Sequence, residues 1–515
     1  MAKLNLKNLQ NGSDIRGNVS DVTPEVSYYL AMGFCGWLSE KTGKMMSDLT
    51  VSIGCDPRLS SEELKASAIS AMTVMRGKVF DCGLASTPAM FMSTVFDAYK
   101  CDGAIMITAS HLPADRNGLK FFDKDGSLNK DDIADIINRA ELLSGAGHFA
   151  AVDSYAGCAS CGPAGCPPQA IPCDLMDTYA AHLQKVVRDA LLADESDKPL
   201  EGLKIVVDAG NGSGGFFADK VLAPLGADIS ESQFLQPDGN FPNHAPNPEN
   251  RQALKMLSNK VKETGADFGI IFDTDVDRIA AVDENGNAIA RNSMVALAAV
   301  LASEGHPDTT IVTDSITSDP LAEFLTEELK VKHLRYMRGY KNVIDKAIEL
   351  NANGTDCQLA IETSGHAAFK ENYFLDDGAY LAAKIAVKVA KLKSRKNTLS
   401  SVVAALKNPK DAMEVRFAIK AEDYAAYGQM VLDEFKKWAE TQAENGITLA
   451  EPNYEGVRLQ FDREHGGGWA LLRMSLHEAI MPLNMESDIE DGCCGLAYQL
   501  KCALEKFDQL DTSKF

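Results

Sequence analysis

Two stretches of this sequence carry side chains whose types and spacing suit chemistry as well as packing. In GAIMITASHLPADRNGLKFFD, the apolar run Ala104 to Ile107 predicts a buried strand, and Pro113, Asn117 and Gly118 predict a turn. Ser110 therefore stands at a strand exit, a favoured place for sites in α/β proteins, although a serine there can equally cap the turn. In GADFGIIFDTDVDRIAAVDENG, a buried strand over Phe268 to Phe272 runs into Asp273, Asp275 and Asp277. Alternate residues of an extended chain face one way, so three carboxylates converge, and they repel unless a cation neutralises them. Oxygen ligands on an extended loop suit Mg²⁺. An exposed acidic turn is the plain alternative. A calcium loop is another, with Glu284 at its twelfth position. That loop needs glycine at its sixth position, where Arg278 stands, and Ile279-Ala280-Ala281-Val282 reads as a strand.

Two further stretches offer groups for a polar ligand. LAIETSGHAAFKENYFLDDGAYLAAKI sets Glu362, Ser364 and His366 in alternation after a short apolar strand, a pattern able to hydrogen-bond sugar hydroxyls. WALLRMSLHEAIMP presents Arg473 as a planar fork for phosphate, with Ser475 and His477 as donors on the same side. Taken singly, these residues also read as a solvated glutamate or a surface ion pair. A rival chemistry lies in VVDAGNGSGG, where Gly210, Gly212 and Gly215 have dinucleotide-binding spacing and Glu231 follows near the end of the next strand. A tight turn with close strand–helix packing accounts for the same glycines.

The elements that must position these groups form a long chain. Its 515 residues exceed one core and suggest roughly three or four domains. LTVSIGCDPRLSSEELKASAISAM, LKIVVDAGNGSGGFFADKVLAPLG and TTIVTDSITSDPLAEFLTEELK share a pattern of apolar strand, small-residue loop and helix, which predicts three similar α/β domains. In the first, Ser60 and Ser61 before Glu62 and Glu63 read as an acidic helix start. The last hundred or so residues read as strands AMEVRFAIK, GVRLQFD and GGWALLRMSL with helix AEDYAAYGQMVLDEFKKWAETQ and a final helix, an α+β order. PLEGLK and SRKNTLSS suit boundaries.

Hydrophobic content of 45% and charged content of 24% are those of a soluble globular protein. The net charge of −22 disfavours nucleic acid or an anionic membrane as partner, while local basic residues can still hold a small anion. No apolar run is long enough to span a membrane. Twelve cysteines, mostly in apolar segments, fit a reducing compartment. The expectation is the cytoplasm, or a plastid stroma if a transit peptide has been trimmed. Cys158, Cys161, Cys166 and Cys173 cluster in a Gly/Pro-rich insertion that reads as a surface loop, a zinc knuckle or a redox disulfide.

In combination and in order, these stretches resemble the α-D-phosphohexomutase superfamily over nearly the whole chain. SDIRG, which contains Asp14 to Gly17, resembles its N-terminal motif, TASHLPADRNGLKF its phosphoserine loop, DTDVDR its metal loop and ETSGH its sugar-binding loop. RMSLHE stands where its phosphate-binding loop lies, and ETSGHAAFKENYFLDDGAY is most similar to the phosphomannomutase/phosphoglucomutase group. The resemblance implies three similar α/β domains and a C-terminal α+β domain around a central cleft, at 1–190, 191–292, 293–405 and 406–515. It implies interconversion of hexose 1-phosphate and 6-phosphate, of glucose or mannose, through a phosphoserine and a hexose 1,6-bisphosphate that also acts as activator. Ser110 would carry the phosphoryl group and, with Asp273, Asp275 and Asp277, bind Mg²⁺. Lys120 would transfer protons, and Arg16 and His111 would support the phosphate. Arg278, Arg338, Gly339, Lys341, Glu362, Ser364 and His366 would bind the sugar, and Arg473, Ser475 and His477 the phosphate that is not reacting. The implied partners are sugar phosphates, to a monomer or homodimer.

The sequence departs from the family pattern at Cys55, where arginine is common, at Leu112, where asparagine is usual, and from Leu476 to Ala479, where the usual run is Asn-Thr-x-Pro. These departures bear on substrate range. They leave open a hexose 1,6-bisphosphate synthase, a phosphoglucosamine mutase, or an inactive relative that binds sugar phosphates to regulate a partner.

Overall fold

The computed structural model describes residues 4–145, 169–475, 478–513 and 515. The chain folds into two compact units: Met1–Ala290 with Ser364–Ser401, and Arg291–Thr363 with Val402–Phe515. The expected third segment, 293–405, is therefore shared between them at Thr363.

In the first unit, the central strand Thr50–Cys55 runs parallel to Lys78–Leu84 and Gly103–Ile107. Arg116–Asp123 returns antiparallel beside Gly103–Ile107, and Asp14–Asn18 antiparallel beside that. Gly103–Ile107 is buried along its whole length, as expected of a strand covered on both faces. Helices Pro24–Thr42, Ser61–Val74 and Lys130–Gly145 share one core with it, built from Tyr28, Phe34, Leu64, Ile105, Phe121 and Ile136. Pro24–Thr42 and Lys130–Gly145 cross so closely that a Cβ on Gly33 would meet the Ile136 carbonyl at 2.5 Å.

A second sheet pairs Ile205–Asp208 in parallel with Phe268–Phe272, then continues antiparallel through Ile279–Val282 and Ala288–Ile289. Helix Arg251–Thr264 packs Leu257 and Val261 into its core, its first turn capped by the Asn250 side chain. The helix expected after VVDAGNGSGG is present and short, π-helical over Phe217–Leu222; Pro224, which has no N–H, stands two residues beyond it. The hairpin of Ala367–Phe369 with Leu375–Asp376 and helix Gly378–Ser394 complete this unit.

In the second unit, Thr310–Thr313 lies parallel between Lys332–Arg335 and Cys357–Ile361. The third expected helix starts at Asp319 under a Ser318 cap but becomes π-helical over Phe324–Glu328. The C-terminal region is a six-stranded antiparallel sheet in the order Ile447–Leu449, Val457–Phe461, Gly468–Leu472, Ile480–Ser487, Asp411–Ile419, Leu510–Asp511. Helices Tyr424–Glu440 and Gly492–Leu504 join its core through Phe435, Leu496 and Leu500. The fold is α/β with a C-terminal α+β region, as the sequence predicts. Among the described residues, no helix is long and apolar enough to cross a membrane.

Candidate active site

Ser110 is buried at the exit of Gly103–Ile107 with a φ of 52°, a left-handed conformation unusual for a residue other than glycine. The loop is held from inside. The Thr108 hydroxyl accepts the Ser110 N–H at 2.9 Å and donates to Asp56 at 2.8 Å. The buried Arg58 guanidinium pairs with Asp56 at 2.9 Å and donates to the carbonyls of Ser110, Leu112 (2.7 Å), Pro113 (2.6 Å) and Arg116 (3.0 Å). The Asn117 amide donates to Ser60 and Ser61, so these serines brace the loop and Ser60 makes no cap hydrogen bond. The signal for this clamp was Arg58 in GCDPR, two residues after an aspartate; a sequence reading centred on Cys55 missed it. Cys55 itself is a buried thiol beside Glu62. Arg58→Met leaves Asp56 buried without its cation, which costs about 3–5 kcal/mol. Urea denaturation would measure this, and a loss under about 1 kcal/mol would show that the loop holds itself.

The three aspartates lie in the connection between Phe268–Phe272 and Ile279–Val282, and all are at most 1% exposed. That burial, and the strand that follows, set aside the acidic-turn and calcium-loop readings; Glu284 instead accepts from Ser400. The glycine-rich turn supports this connection. Ser213 N–H donates to the Thr274 carbonyl at 2.8 Å, and a Cβ on Gly212 would meet Thr274 Cα at 2.8 Å. A Cβ on Gly215 would meet the Leu235 carbonyl at 2.2 Å. These glycines thus serve close packing of the chain on itself, and Glu231 is engaged with Lys260 at 2.8 Å, which leaves no support for a dinucleotide site.

Ser110 Oγ donates to Asp273 at 2.9 Å. Lys120 contacts Asp277 and lies 3.2 Å from Asp275, and Arg278 Nε lies 3.2 Å from Asp273. Thr87, at the start of helix Thr87–Val95, donates its hydroxyl to Asp275 at 2.5 Å and its N–H to the Asp275 carbonyl at 2.9 Å. Three carboxylates thus face two cations. Burial, then the charges of Asp277 and Asp275, push the Asp273 carboxyl well above its usual range. Burial acts the same way on Asp277, but Lys120, His366 and Arg278 outweigh it and hold it low. Oxygens of all three aspartates lie within 4.8 Å of one another, and Oδ1 of Asp275 and of Asp277 are buried without a hydrogen bond. Converging buried carboxylate oxygens and two lone-pair sites without donors fit a hard divalent cation.

Around this centre, His111 Nδ1 is 3.4 Å from Ser110 Oγ. Burial, then the charges of Arg278 and Arg16, hold its imidazole neutral far below the usual histidine range. Arg16 pairs with Asp14 at 2.7 Å on a strand in register with the serine loop, Arg16 opposite Gly118. His366 Nδ1 contacts Asp376, and these two and Asp277 form a second close group. Gly365 (φ 97°) permits this approach, since a Cβ there would meet the Ile279 carbonyl at 2.5 Å. Ser364 is buried in the same unit. Thr87 and Asp376 were not singled out in the sequence; neither has a periodicity that marks it.

The second unit carries the remaining expected residues. Gly339 (φ 113°) donates its N–H to Glu362 at 2.7 Å, and Lys341 pairs with Asp345 one turn along its helix. Arg338 N–H donates to Glu455 at 3.0 Å, and the same carboxylate group lies 4.0 Å from Arg473. Arg473 is 5% exposed, and its Nε is buried with no hydrogen-bond partner, an orientation suited to an anion. Ser475 N–H donates to the Ile480 carbonyl at 3.0 Å, and its hydroxyl accepts from Glu478 N–H at 3.2 Å. His477, Leu476 and Cys158, Cys161 and Cys166 lie outside the described residues. Glu455 is a further residue that the sequence did not reveal.

Comparison with known proteins agrees with this architecture. Residues 7–143, 177–286 and 290–408 match, in order, the families described as phosphoglucomutase/phosphomannomutase alpha/beta/alpha domains I, II and III. A phosphomannomutase/phosphoglucomutase from Pseudomonas syringae pv. tomato is 28% identical over 485 residues, covering 93% of this chain and 90% of its own. A solved phosphoglucomutase/phosphomannomutase family protein from Burkholderia thailandensis superposes with a TM-score of 0.77 at 23% identity, covering 97% of each chain. The Aspergillus fumigatus N-acetylphosphoglucosamine mutase in complex with GlcNAc-6P and magnesium has a TM-score of 0.56 at 14% identity, covering 98% of this chain and 96% of its own. A buried serine facing three buried aspartates, on a chain that matches all three of these domains in order, places this protein in the α-D-phosphohexomutase superfamily, as an intramolecular phosphotransferase of the phosphoglucomutase/phosphomannomutase group.

Proposed function

We propose that this enzyme interconverts hexose 1-phosphate and hexose 6-phosphate, with Ser110 as phosphoryl carrier. The observation that carries this reading is the 2.9 Å bond from Ser110 Oγ to Asp273, one of three buried aspartates whose oxygens lie within 4.8 Å of one another. A sugar hydroxyl attacks the Ser110 phosphorus, the P–Oγ bond breaks, and a bisphosphate sugar forms. After reorientation, Ser110 Oγ attacks the other phosphate and the isomeric monophosphate leaves. Lys120 is the group proposed to carry the proton between these oxygens. Asp273, Asp275 and Asp277, with a phosphoryl oxygen on Ser110, would hold Mg²⁺, which when bound offsets the charge of about −1.5 to −2 that a phosphoserine brings. Arg278 and a neutral His111 flank the transferring group. Free hexose 1,6-bisphosphate would act as activator by reloading Ser110.

Recognition would fall to Ser364 and His366, fixed by Asp376, and to Arg338, Gly339, Lys341 and Glu362. Arg473 and Ser475, with His477, would hold the phosphate that is not reacting. Arg473→Ala should raise KM for the monophosphate tenfold to hundredfold, roughly the value of a charge-assisted bond. Arg473→Lys should recover only part, because an ammonium cannot make two parallel bonds. Unchanged KM for both the 1-phosphate and the 6-phosphate would place that grip elsewhere. The function itself is tested by mutase assays on glucose, mannose and glucosamine 1-phosphates with Mg²⁺ and bisphosphate, alongside mass determination of phosphate on Ser110. Absence of phosphate on Ser110 and of turnover on all three would point to the binding-only reading.

A further inference from the structure

We propose that Cys82 and Cys173 form a reversible dithiol–disulfide site, oxidised by hydroperoxide and distinct from the phosphoryl-transfer chemistry. Strand Lys78–Leu84 pairs in parallel with the edge strand Ile171–Pro172, Phe80 opposite Ile171 and Asp81 opposite Pro172. Cys82 and Cys173 are the next residues in that register, and Cys173 N–H donates to the Asp81 carbonyl at 3.0 Å. Their sulfurs lie 3.4 Å apart. Closing to bonding distance requires an approach of about 1.4 Å, within the reach of side-chain rotation and a small shift of an edge strand.

The two thiols are chemically unequal. Cys173 is partly exposed, whereas Cys82 is buried. The contact between the two thiols holds Cys173 below the usual thiol range; burial opposes this, and the Leu175 N–H at the start of helix Leu175–Leu191 adds to it. The same contact, then burial, push Cys82 up. Cys173, the sulfur that solvent reaches, is the attacking one, and the buried Cys82 is the resolving one. The Cys173 thiolate attacks one peroxide oxygen, the O–O bond breaks, and the released hydroxide takes a proton to become water. The Cys82 sulfur then attacks the Cys173 sulfenic acid, and the departing hydroxide takes the Cys82 proton. Two thiols and one hydrogen peroxide give one disulfide and two waters. A dithiol reductant reverses the reaction.

Both cysteines stand at the head of a segment that braces the candidate site. Beyond Cys82, Ser86 caps helix Thr87–Val95, and Thr87 holds Asp275. Beyond Cys173, Tyr179 on helix Leu175–Leu191 donates to Asp377 at 2.6 Å, next to Asp376, the partner of His366. A disulfide across this 91-residue separation would tie the two braces together.

The test is peptide mass mapping of the full-length protein, reduced and then treated with one equivalent of hydrogen peroxide. The expected result is a Cys82–Cys173 cross-linked peptide, lighter by two hydrogens than its reduced halves and lost on adding dithiothreitol, with a rise in Tm that Cys173→Ser abolishes. Cys82→Ala should leave Cys173 as a sulfenic acid that a dimedone probe captures. Cross-linking of Cys173 to Cys158, Cys161 or Cys166, or sulfinic acid at Cys173 in the wild type without a cross-link, would overturn the proposal, and the wild-type map stands even if a variant folds poorly.

Discussion

Ser110→Ala should lower kcat by about four orders of magnitude or more while leaving the protein folded, because it removes the hydroxyl that donates to Asp273. The loop conformation does not depend on the serine hydroxyl. It is fixed by Arg58 on the loop carbonyls and by Thr108 on the Ser110 N–H, all of which an alanine retains. The φ of 52° gives a second reading of the same site. Ser110→Gly should be equally inactive but about 1 kcal/mol more stable than Ser110→Ala, because glycine adopts this conformation without a Cβ penalty. Steady-state mutase rates and urea midpoints would measure both. Retention by Ser110→Ala of more than about a tenth of the wild-type rate would remove Ser110 as phosphoryl carrier.

Removal of divalent cations should abolish turnover, and Mg²⁺ should restore it. Without the cation, Asp275 and Asp277 each keep a buried oxygen with no donor among the described residues. Asp275→Asn should lower kcat at least about a hundredfold, since it removes a charged oxygen from the cluster. It should not destabilise the metal-free protein, because mutual repulsion falls and Lys120 keeps Asp277. Thermal unfolding supplies a readout independent of turnover. Added Mg²⁺ should raise the wild-type Tm and raise that of Asp275→Asn much less. Full activity after exhaustive chelation, or equal Mg²⁺ shifts in both proteins, would sink the metal assignment.

An acid limb in the stability follows from Asp277. Its folded carboxyl is held below the usual range, so it contributes stability above the unfolded carboxylate range, and that stability is lost as pH falls through it. Asp273, held above the usual range, has the opposite sign: it favours the folded state at low pH and costs stability as pH rises into neutrality. A metal-free protein should therefore gain less than one ordinary buried ion pair would give between acid and neutral pH. Denaturant midpoints across that window, with and without Mg²⁺, would separate the two contributions.

Much of this was legible in the amino-acid order. Local periodicity located the strands Gly103–Ile107, Phe268–Phe272 and Ile279–Val282, since runs of buried apolar residues admit little else. The same runs placed Ser110 and the first of the three aspartates at strand ends, and the alternation of the aspartates implied convergence. Pattern placed helices after the second and third loops, and helices stand there; only the structure shows that they are π-helical over Phe217–Leu222 and Phe324–Glu328.

The sequence by itself determined which side chains are chemically able and which strand ends present them, because those depend on residue type and spacing along a few neighbours. Only the tertiary structure decided that Ser110 and Asp273, 163 residues apart, share a hydrogen bond, that Lys120 falls on Asp275 and Asp277, and that Thr87, Arg58 and Asp376 contact the candidate groups. Such contacts join segments far apart in the chain and answer the need to neutralise buried charge. Neither leaves a periodic trace in the chain, so the sequence names the candidate groups and folding alone brings them within hydrogen-bond distance.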